Sequence, residues 1–294
     1  MRVLILGGNG MIGHKMYQVI SKVYIDTWVT LRNNLNSYNF SFLFNPGKVI
    51  ENINLLDFHS LKYHLDEIKP DIIINCCGVT IRRGVNEIIS KSIILNSALP
   101  HFLNEWVCFN NKRLIHFSTD CVFSGNKDMY TEDDFKDAID IYGLTKSLGE
   151  VVNSSNAITL RGSMIGRELE NKTELLEWFL KQKGKKINGF SKVVYSGITT
   201  IKMAEIVLKI INNFPNLSGI FNVSSTEISK MDLLILFNNS FKTNAAIIED
   251  KKYVSCKKLI SNKLFKELGI EQPRWENLIT ELELDSIRNS HLYS

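Results

Sequence analysis

The sequence lacks three features that would each indicate a particular class of protein. Its five cysteines include no CxxC pair, which argues against a disulfide framework and a zinc site. No apolar run reaches the roughly 18 residues that span a membrane. The net charge of +4 comes without the concentrated basic stripe typical of nucleic-acid binders. We therefore expect no metal site, no membrane span and no nucleic-acid partner.

The composition that remains is typical of a globular protein, with 44% hydrophobic and 22% charged residues. At 294 residues the chain is long enough for one large domain or two lobes. The apolar start ends at Gly7 before a signal-peptide core is reached. We therefore expect a cytoplasmic protein.

A glycine turn follows the first predicted strand. The apolar stretch from Val3 to Leu6 precedes GGNGMIG, and a helical pattern then continues through Ile20. Strand, glycine turn and helix are the context of a dinucleotide-binding site, in which the helix N-terminus faces the phosphates. The candidate cofactor-binding residues of this turn are Gly7, Asn9, Gly10, Met11, Ile12 and Gly13.

The second predicted strand ends at Arg32, at a position where an NAD site usually carries an acid. An arginine there can instead pair with the 2′-phosphate of NADP. We therefore predict NADPH as the cofactor, with NADH as the alternative.

Strand and helix patterns alternate along the chain and predict an α/β fold with a Rossmann-type doubly wound parallel sheet. The pattern changes after residue 160. We predict a dinucleotide-binding domain over residues 1–160 and a smaller C-terminal α/β lobe, mainly substrate-binding, over residues 161–294. The segment near residues 195–224 is expected to return to the first domain. A helix is predicted from about Glu87 to Val107, interrupted near Pro100, and residues 33–50 show no assignable pattern.

A tyrosine and a lysine four residues apart follow another predicted strand end. Tyr142 and Lys146 would share one face of a helix, and the hydroxyl of Thr119 would arrive from the strand. Such a pair is often an ordinary surface pair. An adjacent ammonium lowers the pKa of a phenol, so we predict an unusually acidic Tyr142. The phenol and the Thr119 hydroxyl could then bind one carbonyl oxygen and protonate it.

Several spaced segments resemble the extended short-chain dehydrogenases/reductases, and in that superfamily the dTDP-4-dehydrorhamnose reductase branch. The segments are GGNGMIG, NCCGVT, STDCVFSG, YTEDD, YGLTKSLGE, TLRGSMIG and YSGITTIKMAEIV, in that order. This branch makes 6-deoxy-L-hexose nucleotides for surface polysaccharides. The resemblance implies NADPH-dependent reduction of the C4 ketone of a nucleotide-linked 4-keto-6-deoxyhexose.

The resemblance also implies individual roles. The catalytic triad would be Thr119, Tyr142 and Lys146. Further cofactor contacts are expected from Asp57, Cys77, Gly78, Val79 and Asn96, with Asp57 near the adenine. Substrate contacts are expected from Thr80, Cys121, Met164 and Arg167, the last because an arginine fork matches phosphate oxygens.

Two positions depart from the family pattern. Cys121 stands where the reductases commonly have Tyr, and Met164 stands where many have a substrate-facing Trp, so the particular sugar stays open. Asp120 is not followed by the Glu of related dehydratases, which disfavours elimination of water. Two alternatives remain, an NAD-retaining nucleotide-sugar epimerase and a non-catalytic regulatory subunit. The expected partner is a small-molecule nucleotide sugar, and a homodimer is compatible with this interpretation.

Overall fold

The computed structural model describes residues 1–80 and 89–293. Its strands are β1 (Val3–Leu6), β2 (Thr27–Thr30), β3 (Val49–Ile50), β4 (Ile72–Asn75), β5 (Arg113–Ser118), β6 (Ala157–Arg161), β7 (Met164–Ile165), β8 (Lys186–Phe190), β9 (Val193–Tyr195), β10 (Ile198–Thr199), β11 (Gly219–Asn222), β12 (Ile228–Ser229), β13 (Ala246–Asp250) and β14 (Ser255–Lys257). Its α-helices are α1 (Met11–Ile20), α2 (Phe58–Ile68), α3 (Ile89–Ser92), α4 (Leu99–Phe109), α5 (Ile141–Leu148), α6 (Leu175–Leu180), α7 (Thr200–Asn213), α8 (Lys230–Phe241), α9 (Asn262–Leu268) and α10 (Trp275–Arg288).

A parallel sheet organises the described part of the chain. Its seven strands lie in the order β11-β6-β5-β4-β1-β2-β3. Alternate residues of β1 enter two different cores, because Ile5 packs with α1 and α7 whereas Leu4 packs with α2 and α4. A strand buried on both faces is typical of a parallel sheet covered by helices on both sides. The predicted doubly wound fold is confirmed.

The sheet register brings the ends of three strands to one edge. Leu6 of β1 lies beside Asn75 of β4, and Asn75 lies beside His116 of β5. The segments that follow these strands therefore leave the sheet at neighbouring points. In open α/β sheets this carboxyl edge is where ligands bind.

Two local predictions are refined by the structure. The helix around Pro100 is not broken there, because Pro100 lies in the first turn of α4, where a proline is tolerated. The irregularity is instead a π-helix, Ile93–Ala98, and the predicted start at Glu87 lies outside the described residues. The unassigned stretch 33–50 forms three short 3₁₀ turns, and its Tyr38 and Phe44 are buried.

The carboxyl-terminal residues add smaller sheets beside the large one. Strands β12, β9 and β14 form one three-stranded sheet, and β8 pairs with β13. Trp275, the first residue of α10, is buried against Tyr195 of β9. In residues 1–80 and 89–293, no helix combines the length and apolar character needed to cross a bilayer.

Candidate active site

The glycine turn between β1 and α1 is shaped by contacts that leave no room for a side chain. Gly7 adopts a left-handed conformation with φ of +80°, and its N–H donates to Thr30 Oγ1 at 2.9 Å. A Cβ on Gly13 would lie 2.0 Å from the carbonyl oxygen of Gly7. Gly10 caps α1 without a side-chain hydrogen bond, so the first N–H groups of the helix are left for a ligand. This cradle fits the pyrophosphate of a dinucleotide.

The loop after β4 is held in place by hydrogen bonds with the Asn96 side chain. The Asn96 side chain is fully buried; its Oδ1 accepts from Val79 N at 2.8 Å, and its Nδ2 donates to Val79 O and to Thr145 Oγ1. All of these bonds are to protein atoms and Asn96 does not line the cavity, so its contact with the cofactor stays a prediction. The π-helix that carries Asn96 instead fixes the loop containing Cys77 and Gly78.

Arg32 and Asp57 lie farther out along the same edge. Arg32 is exposed. Burial of the Cys77 thiol raises its pKa to about 12, and the positive charge of Arg32 acts in the opposite direction. Asp57 Oδ1 caps α2 by accepting from the N–H groups of His59 and Ser60. Arg32 is thus close enough to the cofactor loop to act on Cys77, whereas one oxygen of Asp57 is used by its own helix.

The three candidate catalytic residues are brought together by β5 and α5. Thr119 follows β5, and its Oγ1 accepts from Cys121 N at 3.2 Å. A Cβ on Gly143 would lie 2.3 Å from the carbonyl oxygen of Cys121, so this glycine lets α5 approach the loop after β5. Tyr142 and Lys146 both lie in α5, one turn apart.

A cavity of about 320 Å³ opens at this edge. This volume is at the small end of the range for ligand pockets, about 300 to 1,000 Å³. We define its sheet wall as the lining residues Gly10, Met11, Ile12, Cys77, Gly78, Thr119, Cys121, Tyr142 and Lys146. We define its lobe wall as the lining residues Ser163, Met164, Glu174, Leu175, Tyr195 and Lys230.

The electrostatics of the triad differ from the prediction. Burial raises the pKa of Tyr142, and the hydrogen bond with Thr119 only partly opposes this effect. Burial also lowers the pKa of Lys146 to about 8, while Glu150 acts in the other direction. The Lys146 ammonium donates to Phe117 O at 2.6 Å and is not among the groups that lower the pKa of Tyr142. The predicted acidic phenol is therefore wrong: Tyr142 is held in its neutral, proton-donating form.

Three of the four residues predicted to contact substrate line the cavity, and the fourth does not. Thr80, Cys121 and Met164 line the cavity. Burial raises the pKa of Cys121 to about 12, so its thiol is neutral. Thr80 Oγ1 donates to Glu174 Oε1 at 3.2 Å.

Arg167 is absent from the residues that line the cavity. Its Nε is 2.6 Å from Glu177 Oε1, and its guanidinium lies 4.5 Å from the ring centre of Tyr293. Glu177 binds the Nε of Arg167 away from the cavity lining, so the contact of Arg167 with substrate stays a prediction that this geometry does not support. The other conspicuous arginine, Arg161, is fully buried and makes two 2.9 Å bonds to Glu150.

The lining residues that were not predicted to bind a ligand include Glu174, Tyr195 and Lys230. The Ser229 hydroxyl accepts from Asp232 N at 3.0 Å, and this cap signal could have placed Lys230 at a helix start. No local pattern indicates that this helix start faces the cavity. Within the described ranges, no group of three or more His, Cys, Asp or Glu side chains could hold a metal ion.

Comparison with known proteins places this geometry in context. A family model described as the RmlD substrate binding domain matches residues 1–255. A curated relative, methionine adenosyltransferase 2 subunit beta of Mus musculus, is 27% identical over 176 residues, which are 59% of this chain and 49% of the relative. The chain therefore spans about half the length of this relative.

Two further proteins match over more of their length. The spore coat polysaccharide biosynthesis protein SpsK of Bacillus subtilis (strain 168) is 24% identical over 242 residues, which are 78% of this chain and 84% of the relative. The crystal structure of dTDP-4-dehydrorhamnose reductase from Bacillus anthracis str. Ames, in complex with NADP, superposes with a TM-score of 0.78. It is 17% identical and covers 97% of this chain and 99% of its own. This superposition shows a shared fold.

Proposed function

Because the chain belongs to the RmlD substrate binding domain family, we propose that it uses NADPH to reduce the C4 ketone of a nucleotide-linked 4-keto-6-deoxyhexose. The observation that carries the proposal is the cavity itself. One cavity is lined by the glycine turn, by the triad Thr119, Tyr142 and Lys146, and by the lobe wall. A reductase needs these three parts next to each other, because the cofactor, the proton donor and the substrate must meet.

NADPH, when bound, would supply the hydride, and the residues of the chain would perform the remaining steps. Thr119 and Tyr142 would hydrogen-bond the ketone oxygen and hold the carbonyl in place. Tyr142 would give its phenolic proton to that oxygen as it becomes an alkoxide. A raised pKa suits this direction, because it keeps the phenol protonated until the oxygen gains charge. Lys146 would hold the ribose of the cofactor and the geometry of α5.

The choice of cofactor is supported by two observations. The exposed guanidinium of Arg32 lies beyond β2, where a 2′-phosphate would need a positive partner. The reductase of Bacillus anthracis was crystallised with NADP. The substrate class is supported by the family and by SpsK, whose name assigns it to polysaccharide biosynthesis.

The test is an absorbance assay of NADPH consumption with dTDP-, UDP- and GDP-linked 4-keto-6-deoxyhexoses. We expect stoichiometric oxidation of NADPH with at least one of them and formation of a 4-hydroxy product. An NAD-retaining epimerase would change the sugar without net cofactor consumption. Absence of turnover with all three nucleotide series would refute the proposal.

A second candidate function is supported by the match to subunit beta of methionine adenosyltransferase 2. The chain could then act as a non-catalytic partner of another enzyme. Purification from its native cells would recover a stoichiometric enzyme partner in that case, and the protein would leave every ketosugar unchanged. Turnover by the isolated chain would exclude this function as its sole role.

A further inference from the structure

The small sheet β12-β9-β14 presents Tyr195 to the cavity. Tyr195 pairs with Ile228 on one side and with Lys257 on the other, so the tyrosine occupies the central strand. Only 2% of the surface of Tyr195 is exposed, yet this residue contributes to the cavity lining. The hydroxyl of Tyr195 makes no hydrogen bond with any residue that the structure describes. A buried phenol without a partner is costly, so an acceptor atom of a bound ligand would stabilise it.

Lys230 lies against the ring of Tyr195. Its ammonium is 3.5 Å from the ring centre, a cation–π contact that fixes the lysine on the lobe wall. Lys230 is the first residue of α8, and the Ser229 cap holds this helix start. The lobe wall therefore joins a positive charge and an unused hydroxyl in one place.

Each wall of the cavity contributes one cationic side chain to the lining. Among the described lining residues, the cationic side chains are Lys146 and Lys230, and the acidic ones are Asp120 and Glu174. Lys146 belongs to the sheet wall, where it donates to Phe117 O. Lys230 is the cation of the lobe wall. The arginine expected to meet a phosphate, Arg167, is held by Glu177 instead.

Building on the reductase function proposed above, we propose that Lys230 and Tyr195 bind the diphosphate of the nucleotide-sugar substrate and so determine its affinity. The ammonium pairs with a phosphate oxygen, and the Tyr195 hydroxyl donates to a second oxygen of the same group. The sugar ring then extends from this point toward Thr119 and Tyr142. Lys230 and Tyr195 act by positioning the substrate and take no part in proton transfer.

The test is calorimetric titration of the full chain, saturated with NADPH, by dTDP, UDP and GDP. For the diphosphate that the wild type binds best, Lys230→Met should weaken binding about tenfold, the scale of one charge-assisted hydrogen bond. Lys230→Arg should restore most of the affinity. Tyr195→Phe removes only the hydroxyl and should weaken binding about threefold. The affinity for NADPH should be unchanged in all three variants.

Lys263→Met is the matched control. Lys263 also lies over an aromatic ring, with its ammonium 4.8 Å from the ring centre of Phe221, but it does not line the cavity. Its loss should leave diphosphate binding at the wild-type level. Unchanged binding in Lys230→Met, equal losses in the two lysine variants, or no binding of any diphosphate by the wild type would overturn the proposal.

The kinetic arm separates this proposal from the reductase function. In a chain that reduces ketosugars, Lys230→Met should raise KM for the sugar nucleotide and leave kcat within about twofold. An unchanged KM would refute the proposal that Lys230 binds the diphosphate, and the proposed reductase function would still stand. A chain that binds diphosphates through Lys230 but reduces no ketosugar would retain the site and lose the proposed reaction.

Discussion

The two walls of the cavity are built in different ways. The sheet wall is made of short continuous motifs that leave neighbouring strands at one edge, and its glycines bring backbone atoms into close contact. The lobe wall is made of side chains from separate segments: Met164 from β7, Glu174 before α6, Tyr195 from β9 and Lys230 from α8. Under the proposed function, the sheet wall would carry the chemistry and the lobe wall would select the substrate.

Replacing Tyr142 should give the largest effect and would show whether the sheet wall carries the chemistry. Tyr142→Phe keeps the ring and removes the proton donor, so turnover should fall on the order of 10² to 10⁴ fold. NADPH affinity should stay close to that of the wild type. Tyr63→Phe, on the exposed surface of α2, is the control and should retain full turnover. Undiminished turnover in Tyr142→Phe would remove this residue from the mechanism.

The sheet wall should also depend on a buried ion pair beneath it. Arg161→Met leaves the Glu150 carboxylate buried, with Lys136 3.0 Å away as its remaining salt-bridge partner. We expect the free energy of unfolding to fall by about 3 kcal/mol, because a buried charge loses its main partner. Lys62→Met breaks an exposed pair with Asp66 and should cost less than about 1 kcal/mol. Equal losses in denaturant titration would show that the Arg161 pair is not structural.

The glycine turn allows a test of close packing in the sheet wall. Gly13→Ala introduces a Cβ that would meet the Gly7 carbonyl oxygen at 2.0 Å. The turn must shift, so we expect a loss of about 1 to 3 kcal/mol in stability and weaker NADPH binding. The control is Gly47→Ala, where the nearest atom is the Asn45 side-chain oxygen at 3.5 Å. If both variants bind NADPH as the wild type does, the turn does not require Gly13.

The smallest effect is expected at Arg32, which lies beyond β2 and outside the sheet wall. Arg32→Ala should reduce the preference for NADPH over NADH about tenfold, because one charge-assisted contact with the 2′-phosphate is lost. The affinity for NADH should hardly change, so the comparison of the two Kd values is its own control. A preference that is the same before and after the change would remove Arg32 from cofactor selection.

The sequence predicted the sheet wall better than the lobe wall, for a physical reason. The glycine turn and the spacing of Tyr142 and Lys146 are local patterns, and their backbone geometry follows from the strand or helix that carries them. The pKa of Tyr142 could not be predicted in this way, because it depends mainly on how deeply tertiary packing buries the phenol. The Lys146 ammonium, which was expected to lower this pKa, is bound to Phe117 O instead.

The same limit applies to Asn96 and Arg167. A motif shows that an amide or a guanidinium is present, but tertiary contacts decide whether it is free to bind a ligand. Asn96 is used by Val79 and Thr145, and Arg167 is used by Glu177. No local signal places Lys230 at the cavity, because its position beside Tyr195 depends on the pairing of β9 with β12, more than 30 positions apart.

The position of the nicotinamide in a crystal soaked with NADPH tests the central claim most directly. The account predicts a ring inside the 320 Å³ cavity, next to the hydroxyls of Tyr142 and Thr119, with the pyrophosphate at the start of α1. A ring outside this cavity, or one directed away from Tyr142, would contradict the proposed reduction and leave only the fold.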